Sequence, residues 1–138
     1  MKPERDHINI IIADDDKDDQ FICREALKRT RVTHNVQAVY NGAQLLDLLG
    51  SRTDAAVPAE RPDFIILDIN MPVVDGLSAL QKIRSHAELK DIPVFVLSTT
   101  DRPDHVKKAR QLGVQKYYRK PNRMDGFEKI MNEIITVL

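Results

Sequence analysis

The stretch INIIIADDD at residues 8–16 joins a run of apolar residues to three consecutive aspartates. An apolar run that is rich in β-branched residues predicts a strand buried on both faces, as in a parallel sheet. A second run of the same kind, FIILD at residues 64–68, also ends at an aspartate. Acidic residues that follow two buried strands predict a charged site at one edge of a sheet.

The rest of the chain alternates strand-like and helix-like segments. The predicted strands cover 8–13, 36–40, 63–67, 93–97 and 115–118, and the predicted helices cover about 17–31, a short segment after Gly42, and about 76–87, 102–112 and 123–137. Asp16 can cap the first helix, and Gly113 can end the fourth. This alternation predicts an α/β fold with a doubly wound parallel sheet. Residues 50–62, which have little periodicity, are predicted to form a surface loop.

Composition limits the classes of protein that fit. The chain has 138 residues, 42% hydrophobic and 30% charged, so we expect a single domain over 1–138 with its own core. Lys and Arg number 21, as do Asp and Glu, and this balance favours neither nucleic acid nor a membrane as partner. With one cysteine, Cys23, no internal disulfide can form, and no signal peptide or membrane span is recognised. These features favour a cytoplasmic protein.

Polar side chains follow four of the predicted strands. In doubly wound sheets, ligands bind outside the carboxyl ends of the strands. The groups expected at that edge are Asp14, Asp15, Asp68, Ser98 and Lys120. Three carboxylates, a hydroxyl and a lysine together suit a divalent cation and a phosphoryl group.

Four motifs occur in order, each after its own predicted strand. They are ADDD at 13–16, LDINMP at 67–72 with DG at 75–76, VLSTT at 96–100 and YYRKP at 117–121. In this combination the sequence resembles the receiver domain of two-component response regulators, from about residue 7 to 138. The resemblance implies a flavodoxin-like five-stranded sheet of order 2-1-3-4-5. It also implies a signalling phosphoacceptor that promotes its own phosphorylation and dephosphorylation, and not an enzyme with a free substrate.

The resemblance assigns a phosphoacceptor and a cation site. Asp68 would accept a phosphoryl group from a histidine kinase or a phosphotransfer protein. Mg²⁺, for which Mn²⁺ could substitute, would be held by Asp14, Asp15, Asp68 and the backbone carbonyl of Asn70. A cation is needed because a carboxylate that attacks a phosphoryl dianion meets charge repulsion.

The resemblance also assigns the groups that respond to phosphorylation. Lys120 would pair with Asp68 at rest and later bind a phosphoryl oxygen. Ser98, at a position where the family more often has threonine, would donate its hydroxyl to a second one. Tyr117 would be the switch aromatic whose ring moves inward with Ser98. The family analogy also predicts a cis peptide bond between Lys120 and Pro121.

Asn70 and Thr100 occupy positions that would control access of hydrolytic water, and therefore the lifetime of the phosphoryl group. The first helix, near Gln20, Phe21 and Arg24, would be the docking surface for the kinase. The fourth helix, fifth strand and fifth helix would form the output surface, with homodimerisation as an open alternative. Output would pass through protein contacts or through onward phosphorelay, since no output domain is expected after the receiver.

The 50–62 insertion and the LSTT stretch at 97–100 resemble small regulators that are paired with phytochrome-type bacterial kinases. Two other functions stay open. A phosphohydrolase with an aspartyl nucleophile would want a second acid two residues after Asp68, where this chain has Asn70. A receiver that is never phosphorylated could act as a fixed scaffold.

Overall fold

The computed structural model describes residues 7–32, 34–51 and 61–138. Strands and helices alternate along them as β1 (Ile8–Ala13), α1 (Lys17–Lys28), β2 (His34–Val39), α2 (Gly42–Ser51), β3 (Phe64–Leu67), α3 (Gly76–Ser85), β4 (Val94–Ser98), α4 (Pro103–Gln111), β5 (Lys116–Arg119) and α5 (Met124–Thr136). Most of the predicted 50–62 loop lies outside the described residues.

The five strands form one parallel sheet in the order β2-β1-β3-β4-β5, which confirms the predicted fold and strand order. In the register, Ala13 at the end of β1 lies opposite both Val39 of β2 and Leu67 of β3. The central strands therefore end at one level, here called the carboxyl edge. The residue after each strand lies at this edge.

Side chains of the central strands alternate between two apolar layers, as the period of a strand requires. Ile10, Ile12 and Ile66 pack against α1 and α5, while Ile11 and Ile65 pack against α2 and α3. The strands are thus buried on both faces, as their composition predicts. Two packed layers hold the backbone of β1 and β3 in place, and so fix where the carboxyl edge begins.

Most helices are shorter than predicted, but α2 continues to Ser51, which lies in the segment 50–62 that was predicted to be a loop. The first was expected to reach residue 31, but α1 ends at Lys28, and Arg31 adopts a left-handed backbone conformation with φ of 65°. Gly113 has φ of 74° just after α4, the conformation that ends helices and that glycine adopts without strain. Asp16 caps α1 as predicted, because its side chain accepts hydrogen bonds from Asp18 N and Asp19 N.

One prediction about the backbone is wrong. The described residues contain no cis peptide bond, so the bond between Lys120 and Pro121 is trans. The trans isomer is the ground state of an X–Pro bond by about 0.5–1 kcal/mol, and the sequence alone gives no reason for the other isomer. Among the described residues, no helix is long and apolar enough to cross a membrane.

Candidate functional site

The two aspartates that follow β1 and β3 are held by the backbone of the sheet. Asp14 N donates to Val39 O at 3.0 Å, and Asp68 N donates to Ala13 O at 2.9 Å. Both residues continue the hydrogen-bond pattern of the sheet beyond its formal end. Their side chains are therefore directed by rigid strands, and both residues are nearly inaccessible, with 3% exposure for Asp14 and 4% for Asp68.

A third carboxylate completes a cluster. The carboxylate oxygens of Asp14, Asp15 and Asp68, here called the acidic trio, lie within 4.8 Å of one another. Backbone donors orient two of the three, since Asp16 N donates to Asp14 Oδ1 at 2.9 Å and Asn70 N donates to Asp68 Oδ1 at 3.1 Å. Clustered carboxylate oxygens are the hard ligands that suit Mg²⁺ or Mn²⁺. The acidic trio could therefore bind a divalent cation.

Lys120 reaches the same cluster from the loop after β5. Its Nζ lies 2.8 Å from Asp14 Oδ2, 3.1 Å from Asp68 Oδ2 and 2.7 Å from Asp19 Oδ2, and the side chain is only 6% exposed. Its backbone N donates to Ser98 O at 2.8 Å, so the start of the chain segment after β5 is fixed on β4. The expected contact between Lys120 and Asp68 is present. The contact with Asp19 was not predicted.

Burial and charge act in opposite directions on these groups. Desolvation raises the pKa of Asp14 to about 6, although the hydrogen bond from Lys120 opposes that effect. Burial alone would lower the pKa of Lys120, but hydrogen bonds to Asp14 and Asp19 outweigh it and the net shift is upward. Lys120 is therefore positively charged at neutral pH. The neighbouring carboxylates of Asp14 and Asp68 are buried and have little access to solvent.

Ser98 and Tyr117 lie next to the acidic trio on β4 and β5. Ser98 is fully buried, and its Oγ accepts a hydrogen bond from Thr100 N at 3.4 Å. The ring of Tyr117 is half-buried, and its hydroxyl donates to Thr100 O at 2.5 Å. Burial raises the pKa of Tyr117, and the hydroxyl of Ser98 partly offsets this effect. Thr100, in the loop between β4 and α4, is thus hydrogen-bonded to both predicted switch residues, Ser98 and Tyr117.

The two residues predicted to control water access lie at the rim of the site. Asn70 is exposed and Thr100 is half-buried. Asn70 follows Asp68 in a tight turn, in which its N–H is directed at the Asp68 carboxylate. The control of water access by their side chains stays a prediction.

The DG pair at the end of the second motif shapes the backbone around Asp68. A Cβ added to Gly76 would lie 2.2 Å from Asp68 O and 2.7 Å from Ile69 Cα. Only glycine allows α3 to begin this close to the loop that follows β3. Asp75 caps α3 by accepting from Ser78 N at 2.9 Å. Gly76 thus supports the site by packing against the backbone of Asp68, and Asp75 fixes the start of α3 beside it.

Gln20 does not belong to a docking surface, which corrects that prediction. It is 1% exposed, and its Nε2 lies 2.9 Å from Ile12 O, 3.1 Å from Asp14 O and 3.0 Å from Val39 O. The side chain therefore ties α1 to the ends of β1 and β2. The helical period could have shown this, because Gln20 lies on the same stripe as buried Cys23 and Leu27. Phe21 and Arg24, the other two residues named for that surface, are exposed.

Known proteins share this fold. Residues 10–132 match the response regulator receiver domain family. The chain is 30% identical over 125 residues to the response regulator Rcp1 of Synechocystis sp. (strain ATCC 27184 / PCC 6803 / Kazusa), and the match covers 91% of this chain and 84% of that protein. The crystal structure of the phosphorylated cyanobacterial phytochrome response regulator RcpA superimposes with a TM-score of 0.83 at 34% identity, covering 93% of this chain and 91% of RcpA. The Mn²⁺-bound form of Rcp1 gives a TM-score of 0.81 at 29% identity, with 92% and 91% covered.

Proposed function

The chain belongs to the response regulator receiver domain family of two-component systems, and we propose that Asp68 is its phosphoacceptor. The observation that carries the proposal is the position of Asp68, which is buried at the carboxyl edge within the acidic trio and 3.1 Å from the ammonium group of Lys120. Because Asp68 lies between a cation site and a lysine, positive groups are in place to stabilise the negative charge on the phosphoryl oxygens during transfer. The donor would be a phosphohistidine of a sensor kinase or of a phosphotransfer protein.

The proposed resident cation is Mg²⁺, with Mn²⁺ able to replace it. Asp14, Asp15 and Asp68 would hold the cation, and the backbone carbonyl of Asn70 would supply a further oxygen. When bound, the cation offsets the repulsion between the acceptor carboxylate and the phosphoryl oxygens. Two observations support this ligand set: the close approach of three carboxylates in this chain, and the Mn²⁺-bound form of the similar protein Rcp1.

The proposed reaction exchanges one bond to phosphorus for another. An oxygen of the Asp68 carboxylate forms a bond to phosphorus, while the bond between phosphorus and the donor's imidazole nitrogen breaks. The electron pair of that bond stays on the imidazole, which takes up a proton from solvent. Release is hydrolysis, in which water attacks phosphorus and leaves phosphate and the free carboxylate. The domain thus promotes its own phosphorylation and dephosphorylation.

Lys120 and Ser98 would stabilise the transferred group. Each would donate a hydrogen bond to a different phosphoryl oxygen, and both start within the same buried edge. The side chains of Ser98 and Tyr117 both make hydrogen bonds to the backbone of Thr100. A movement of Ser98 toward the phosphoryl group would therefore be transmitted to Tyr117 through Thr100. The face made by α4, β5 and α5 would then carry the signal to a partner protein in the cytoplasm, or to a second copy of the chain.

The similarity to RcpA supports a phytochrome-type kinase as the donor, since RcpA is itself described as a phytochrome response regulator. Exposed Phe21 and Arg24 on α1 would contact it. Asn70, two residues after Asp68, and Thr100, two residues after Ser98, would set the lifetime of the phosphoryl group by controlling the access of water.

Intact-protein mass spectrometry tests the proposal directly. We expect wild type to gain one phosphoryl group from phosphoramidate in the presence of Mg²⁺ and none in the presence of a chelator. Asp68→Asn should gain none, whereas the control Asp18→Asn, which makes the same chemical change at an exposed position of α1, should behave as wild type. Label that persists in Asp68→Asn would show that another residue is the acceptor.

The same protein variants also distinguish a phosphoacceptor from the two other functions, a phosphohydrolase and a scaffold. Release of phosphate from a free phosphoester, at a rate that depends on Asp68, would indicate a phosphohydrolase. Absence of both label and released phosphate in the presence of Mg²⁺ would indicate a scaffold that is not phosphorylated.

A further inference from the structure

Asp19 makes a contact that the proposed reaction has not used. Its Oδ2 lies 2.7 Å from the Nζ of Lys120, a shorter distance than the Nζ makes to Asp14 or to Asp68. Asp19 lies in the first turn of α1 and its side chain is 21% exposed. It is not a member of the acidic trio. The closest partner of the buried lysine is therefore a carboxylate outside the set that would hold the cation.

Lys120 contacts three carboxylates in this state, two of them through hydrogen bonds and Asp14 as an ion pair. An ammonium group has three N–H donors and here it has three carboxylate partners, Asp14, Asp19 and Asp68. Two of these partners acquire other roles in the proposed function, since Asp14 and Asp68 would ligate the cation and Asp68 would also bond to phosphorus. Asp19 is the partner that keeps its acceptor oxygens free for the lysine throughout.

We propose that Asp19 is a positioning residue that holds the ammonium group of Lys120 beside the acceptor carboxylate while phosphoryl transfer takes place. This inference rests on the proposed function of Asp68. One N–H of the lysine stays with Asp19, so another can turn to a phosphoryl oxygen without displacement of the whole side chain. Placing a charged group correctly before the reaction is a large part of catalysis by preorganised electrostatic sites.

The backbone around Asp19 is rigid enough for this role. Asp19 N donates to Asp16 Oδ1 at 3.2 Å, and the next residue, Gln20, is bonded to carbonyls at the ends of β1 and β2. Lys120 is anchored on β4 through its own N–H. Asp19 therefore presents its carboxylate to Lys120 from a fixed point on α1.

The test compares phosphorylation rates with phosphoramidate and Mg²⁺, a small donor that needs no docking surface. We expect Asp19→Ala to slow the incorporation rate by about tenfold, because misplacing a group that touches the reacting atoms costs at least this much. The control Asp18→Ala removes the same charge from the same helical turn, but its side chain is exposed, and its rate should stay within about twofold of wild type. Asp19→Asn keeps an acceptor oxygen and should recover part of the loss.

A double-mutant cycle shows whether Asp19 acts through the lysine. In the Lys120→Ala background, the further change Asp19→Ala should have no effect on the rate. The inference is overturned if Asp19→Ala matches Asp18→Ala, if it accelerates incorporation, or if it slows the reaction by the same factor when Lys120 is absent. In these cases wild type still gains its phosphoryl group, so the proposed function of Asp68 stands.

A second readout needs neither cation nor phosphoryl donor. In the metal-free protein, a lysine ¹H–¹⁵N NMR spectrum should contain one protected ammonium resonance that Lys120→Ala removes. We expect this resonance to persist in Asp18→Ala and to be lost through exchange with water in Asp19→Ala. An unchanged resonance in Asp19→Ala would overturn the positioning role. If wild type takes up no phosphoryl group, the proposed function fails, and this spectrum still decides whether Asp19 positions Lys120.

Discussion

Lys120→Met should destabilise the metal-free protein strongly. Methionine has a similar length and no charge, so the substitution leaves Asp14 and Asp68 buried without the ammonium group that both contact at 2.8 and 3.1 Å. Removing one partner of a buried ion pair costs about 3–5 kcal/mol. Because the pKa of Asp14 is already raised to about 6, uptake of a proton by this carboxyl will relieve part of the cost. We therefore expect a loss of about 3 kcal/mol at neutral pH, at the lower end of that range.

Urea unfolding in the presence of a chelator measures this loss, with Lys107→Met on exposed α4 as the control. The control should change the free energy of unfolding by no more than about 0.5 kcal/mol, as surface substitutions usually do. Two further conditions sharpen the test. Saturating Mg²⁺ should narrow the gap between variant and wild type, since the cation replaces the missing charge, and mildly acidic pH should narrow it also.

A loss below about 1 kcal/mol in chelator, where a buried unpaired carboxylate should cost several times more, would refute this account of the site. It would mean that Asp14 and Asp68 are hydrated well enough to need no partner. A gap that Mg²⁺ leaves unchanged would show that the cation binds elsewhere.

Three other predictions concern the supports of the site. Gly76→Ala should destabilise the protein by about 1–3 kcal/mol in urea unfolding, because the new Cβ meets the backbone of Asp68 and Ile69. In the control Gly50→Ala the new Cβ has open space, and this change should stabilise the protein by about 0.5–1 kcal/mol. Equal effects of the two substitutions would contradict the argument. Gln20→Ala should cost about 1–3 kcal/mol, because buried carbonyls lose their donor, and the exposed control Gln81→Ala should be nearly neutral. In the presence of a chelator, ¹³C NMR should show that the Asp14 carboxyl titrates with a midpoint near pH 6. Because the pKa of this carboxyl in the folded protein exceeds its ordinary value of 3.8, its contribution to stability should grow as the pH falls from about 7 to 5. A midpoint near pH 4 would contradict its burial.

The sequence by itself determined the fold class and most of the site. A run such as FIIL at 64–67 is apolar at both faces, and this pattern favours helices on both sides of the sheet and hence parallel strands. Parallel strands end at one edge, so residues directly after β1 and β3 had to meet there, whatever the details of packing. That is why the proximity of Asp14, Asp15 and Asp68 could be predicted without coordinates. Element boundaries were less certain, as the early end of α1 shows.

Only the tertiary structure decided which partners the polar side chains choose. Asp19 and Lys120 are 101 residues apart, and their contact depends on how the first turn of α1 lies against the loop after β5. The helical period places Gln20 on the buried stripe of α1, but no local pattern reveals that its amide meets three carbonyls at the ends of β1 and β2. Periodicity encodes which face of an element is buried, but the partner of a buried charge depends on distances and directions that exist only after the elements have packed.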